Sequence, residues 1–169
     1  MLKTKHPFIT IINILIFFTS MLFYYTGILP LTIKGITPLL ILPILTAFSI
    51  FNSPVVSAVT GLLCGVFMDA NALDSYCFNA IALVIIGAFV AVSSNNLFNK
   101  NIFSAMVLSL ITSVLYFVLQ WAVFETTNIT IKDSLIYLLK YALPTAVYSA
   151  VFIIPFYYLY RYFERRKEL

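Results

Sequence analysis

Residues 53–91 read "SPVVSAVTGLLCGVFMDANALDSYCFNAIALVIIGAFVA": two apolar runs, Val55 to Met68 and Phe78 to Val92, joined by the short polar break "DANALDSYC". Within the first run Gly61, Gly65 and Asp69 stand four residues apart, so on a helix they lie along one stripe. A small-xxx-small stripe lets a second helix approach closely and gain dispersion contacts that lipid does not match. Ser57 and Ala58 extend the small face upstream. From the residues alone, the stripe is a helix-packing seam. Asp69 sits at its outer rim, hydrated or capping the loop amides of "ANALDS".

The rest of the chain has the same character. Of its 169 residues 62% are hydrophobic and 9% charged, and the mean hydropathy is +1.03. A soluble domain carries about 25% charged residues, so the composition points to an all-α integral membrane protein. Six apolar runs are legible, at residues 8–29, 36–51, 55–68, 78–92, 102–124 and 135–160. They predict one polytopic membrane domain over residues 1–169, a six-transmembrane-helix bundle. The second and third runs are short, with only Asn52, Ser53 and Pro54 between them, and read equally as two short spans or a re-entrant hairpin. The basic leader "MLKTKHP" precedes an apolar run too long for a signal peptide's core, with no Ala-x-Ala pattern after it, so Phe8 to Leu29 reads as a retained first helix. Pro43, Pro144 and Pro155 fall inside apolar runs and predict kinks.

Basic residues set the orientation. With a cytoplasmic N-terminus, Lys3, Lys5, Lys100, Arg161, Arg165, Arg166 and Lys167 lie inside, against Lys34, Lys132 and Lys140 outside. That bias predicts both termini in the cytoplasm. The formal net charge of +4 follows from these flanks and marks no nucleic-acid partner. Tyr157, Tyr158, Tyr160 and Tyr162 cluster beside Arg161, as amphipathic rings do at headgroup level.

Chemistry is sparsely provided. Asn13, Gln120, Glu125 and Lys140 are scattered over different runs, and Lys140 is placed to snorkel or to pair with Asp69, Asp74 or Asp133. His6 is the sole histidine, and Cys64 and Cys77 read as unpaired buried thiols. No nucleophile stands with a base, and no ligand cluster has metal-site spacing. The sequence therefore predicts no catalytic residue, no metal and no cofactor.

The stretch from Ser53 to Ala91 resembles the rod shape-determining protein MreD family. That family has a helix of the form G-x-x-x-G-x-x-x-D, a short outer loop, then an apolar helix opening with "NAL"-like residues. Gly61, Gly65 and Asp69 match the first part and "NAI" at Asn79 to Ile81 the second. Where the family usually carries loop glycines, this chain has Leu73 and Cys77. The resemblance implies a multi-pass protein of the bacterial cytoplasmic (inner or plasma) membrane with a fold like the S components of energy-coupling-factor transporters. It implies a non-enzymatic scaffold of the cell-wall elongation (rod) complex, which keeps cell shape by binding MreC and coupling MreB filaments to peptidoglycan synthesis. RodA, a class B penicillin-binding transpeptidase and membrane lipid are further implied partners. The alternative is an S component that binds a vitamin. Such proteins dock through an Ala-x-x-x-Ala face on their first helix, whereas "FITIINILIFFTSMLFYYTGIL" contains no alanine.

Overall fold

The computed structural model describes Leu15, Thr19 and residues 39–71, 77–96, 101–125 and 143–165. Of the first apolar run only Leu15 and Thr19 fall within that set; both are helical, and the Thr19 hydroxyl donates to the Leu15 carbonyl. The described residues form α1 (Ile41–Ile50), α2 (Pro54–Asn71), α3 (Phe78–Asn96), α4 (Ile102–Gln120), a π-helical turn (Trp121–Glu125), α5 (Leu143–Val151) and α6 (Ile153–Arg165). No strand occurs among them. Among the described residues two stretches, Phe78–Asn95 and Ile102–Val123, are long and apolar enough to cross a membrane, with mean hydropathies of 1.9 and 2.3.

Helix α1 is the axis of the arrangement. All ten of its residues are buried, and α2, α3, α4, α5 and α6 all pack against it. At about 1.5 Å per residue it is about 15 Å long, half the apolar thickness of a bilayer. A short buried helix must find partners for its end groups within the protein. Ser149 of α5 accepts the Leu39 N–H at 2.9 Å. Ser94 of α3 donates to the Ile50 carbonyl at 3.1 Å, and the Asn52 side-chain amide to the Phe48 carbonyl at 2.7 Å. Pro43 does not kink the helix as its position in the run predicts. It stands in the first turn, where a missing N–H has no intrahelical acceptor to disappoint. Midway, Thr46 and Thr112 of α4 share a hydroxyl contact at 3.2 Å; such interhelical bonds average about 0.6 kcal/mol.

The other runs are re-bounded by the structure. The third extends to Asn71 and so takes Asp69 into the helix. The fifth ends in the π-helical turn. The last is broken at Phe152 into α5 and α6. Pro155 explains the break, because its ring collides with the carbonyl four residues earlier, that of Val151. Pro144 lies in the first turn of α5. The tyrosine cluster divides: Tyr157 is buried against Phe51, at the C-cap of α1, and Tyr160 against Phe48 of α1, with centroids 5.5 and 5.8 Å apart. Only Tyr158 and Tyr162 are exposed.

Candidate functional site

Helices α2 and α3 form an antiparallel pair whose spacing is set by glycine. A Cβ on Gly61 would strike the Leu83 carbonyl oxygen, and one on Gly65 the Ala80 Cα and the Asn79 oxygen. From the other side, a Cβ on Gly87 would come within 2.6 Å of the Ser57 oxygen. All of these obstacles are backbone, which cannot swing aside. The pair therefore meets main chain to main chain along Ser57–Gly87, Gly61–Leu83 and Gly65–Ala80.

That register delivers Asp69 to the beginning of α3. Its Oδ2 accepts the Ala80 N–H at 2.9 Å, and its Oδ1 accepts the Asn79 N–H at 3.2 Å and the Asn79 side-chain amide at 2.8 Å. These backbone donors belong to the first turn of α3, which has no intrahelical acceptor for them. The carboxylate fills the place of an N-cap side chain, but from the neighbouring helix. It also sits at the positive end of the α3 dipole, which favours a negative charge. The expectation had Asp69 hydrated or capping "ANALDS"; residues 72–76 of that loop lie outside the described residues, and among the described ones the half-buried carboxylate serves α3.

Asn79 carries the connection to α4. Tyr116, 2% exposed, donates its hydroxyl to Asn79 Oδ1 at 2.5 Å. Its ring lies 6.0 Å from that of Phe78. Asp69, Asn79 and Tyr116 thus form a continuous hydrogen-bonded chain across three helices. Beside it, Cys77 holds φ at 59°, a left-handed conformation that favours glycine.

The structure brings together Gly61, Gly65, Asp69 and Asn79, the four residues of the motif read from the sequence. Sequence reasoning missed Tyr116, Gly87 and the conformation of Cys77. A small residue at 87 was findable once α3 is laid antiparallel against Ser57; Tyr116 carries no local signal. Cys64 is buried, but Cys77 is exposed, contrary to expectation, because it sits on the turn that opens α3. Gln120 is exposed. Asn13, Asp74, Asp133 and Lys140 lie outside the described residues, as does His6. Among the described residues no three His, Cys, Asp or Glu side chains gather as a metal site would need.

The chemistry on offer here is mechanical. A carboxylate already engaged by three donors is poorly placed to move protons, and the geometry instead fixes the angle and depth of one helix against two others. A sequence profile of the rod shape-determining protein MreD family matches residues 5–167. The chain belongs to the MreD family. Among curated proteins and among solved structures none matches it. As an MreD-family member it is a rod shape-determining membrane protein, and the family is structural in character.

Proposed function

We propose that this MreD-family chain is a non-enzymatic scaffold of the cell-wall elongation complex, binding MreC and coupling MreB filaments to peptidoglycan synthesis. In this reading RodA and a class B penicillin-binding transpeptidase belong to the same assembly. The chain crosses the cytoplasmic membrane six times, with both termini inside and a fold resembling an energy-coupling-factor S component. The observation that supports a scaffold is the Asp69–Asn79–Tyr116 chain, in which the polar groups of the family motif are engaged with one another and with backbone. A scaffold needs a rigid shape in lipid, and a clamp of this kind provides one.

Tagged protein pulled down from native membranes should bring MreC with it, and Asp69→Ala should reduce the recovery. Calorimetry against riboflavin, thiamine, biotin and folate should give no submicromolar binding. Vitamin binding without MreC recovery would reverse the assignment in favour of a carrier. Reporter fusions after Leu169 should read as cytoplasmic; an external reading would sink the six-span plan.

A further inference from the structure

Along one face of α6 the chain passes from Ile154 to Tyr158 and then to Arg161 and Tyr162, spaced at i, i+4, i+7 and i+8. Those positions share a side of the helix. Tyr158 and Tyr162 are both about half exposed, and tyrosines so placed on a membrane helix mark headgroup depth. Arg161 lies between them in depth and is only partly buried. Its guanidinium carbon stands 6.0 Å from the centroid of the Tyr157 ring. Tyr157 is itself fully buried and braced by Phe51, at the C-cap of α1, so the platform under Arg161 is fixed.

A guanidinium offers five donors in a planar fork; the Tyr157 hydroxyl engages part of that fork, and one hydroxyl cannot occupy all five donors. Held at headgroup depth, the guanidinium is matched by a phosphate oxygen pair. The sequence continues with Arg165, Arg166 and Lys167 against Glu164 and Glu168, leaving this end of the chain net positive. Such juxtamembrane basic clusters attract anionic lipid.

We infer that Arg161, stacked on Tyr157 and flanked by Tyr158 and Tyr162, binds the headgroup phosphate of an anionic phospholipid. The inference requires only that the protein is in a membrane, and it stands whichever proteins the chain binds. The site selects for net negative charge, because a zwitterionic headgroup brings its own cation to the cluster.

The test uses the full-length chain in vesicles of phosphatidylcholine with or without phosphatidylglycerol, extracted gently and weighed intact to count retained lipids. Wild type should retain phosphatidylglycerol in preference to phosphatidylcholine. Arg161→Gln should lower that retention about fivefold, the factor equivalent to about 1 kcal/mol for one basic residue near an anionic surface. Arg161→Lys, which keeps the charge but loses the fork, should fall between. Melting of each variant in pure phosphatidylcholine controls for folding. Inorganic phosphate at the same concentration should leave retention unchanged. Equal retention by wild type and Arg161→Gln, no preference between the lipids, or displacement by inorganic phosphate would each overturn the inference.

Discussion

Asp69 caps a helix to which it does not belong: from the end of α2 its carboxylate takes the Ala80 N–H, 2.9 Å away, in the first turn of α3. Donor and acceptor stand eleven residues apart in the sequence, yet the glycine seam beneath them makes this the natural reach of the side chain. Cap and seam therefore depend on each other. Shifting the helices apart would withdraw the carboxylate, and losing the carboxylate would loosen the end of the seam.

Removing the cap should be measurable directly. Asp69→Ala strips α3 of its acceptor and should destabilise the protein by about 0.5–2 kcal/mol, read as a lower melting temperature in detergent. Asp69→Asn keeps one acceptor oxygen but turns an amide donor toward a backbone N–H, so it should fall well short of wild type. An Asp69→Asn protein as stable as wild type would mean that charge and double acceptance are irrelevant here.

Gly65→Ala is the sharper probe of the seam. The structure puts even a single methyl against the Ala80 Cα, so alanine should already be costly here and leucine worse. Overpacking of this kind typically costs about 1–3 kcal/mol. Gly65→Ala and Gly61→Ala should both reduce folded yield and melting temperature, whereas Ala70, which is exposed, should accept Ser without change. Wild-type behaviour from Gly65→Ala would refute main-chain contact between α2 and α3.

Tyr116→Phe deletes one hydroxyl and leaves Asn79 Oδ1 without its α4 donor. An unsatisfied buried acceptor costs about 1–3 kcal/mol. In a double-mutant cycle with Asp69→Ala the two losses should be less than additive, because both act through Asn79. Strict additivity would show that the three side chains are not one network.

Cys77→Gly should stabilise the protein. A side chain in the left-handed region costs about 1–2 kcal/mol, and glycine returns part of that as extra freedom in the unfolded chain. The expected net gain is about 1 kcal/mol, or a rise in melting temperature of about 2–4 °C. Cys77→Ala keeps the Cβ and should show no such rise; an equal rise for both would assign the effect to the thiol instead.

These sites differ in how far the sequence announces them. Gly61, Gly65 and Asp69 are legible because helical periodicity alone puts them on one stripe, and Asn79 because only a short loop separates the two helices. Tyr116 is invisible by such reasoning. Its bond to Asn79 joins residues 37 apart in the sequence, and which tyrosine of an apolar run faces inward depends on how whole helices are rotated. The π-helical turn at Trp121–Glu125 leaves no compositional mark, since it adds one residue to a turn without changing residue type. Pro155 announces a disturbance correctly, but the chain yields earlier, at Phe152, next to the carbonyl that the ring crowds. Pro43 misleads because the start of α1 is hidden inside an unbroken apolar run.

Helix α1 has a consequence for biogenesis. Enclosed on every side and only about 15 Å long, it cannot be held in place by the lipid phase alone, and its wall is finished by α6, which is synthesised after every other described helix. The bundle therefore cannot close as it is made: α1 waits in an unfinished enclosure until Tyr157 and Tyr160 arrive against Phe51 and Phe48. A chain shortened before Ile153 would be inserted and yet never sealed.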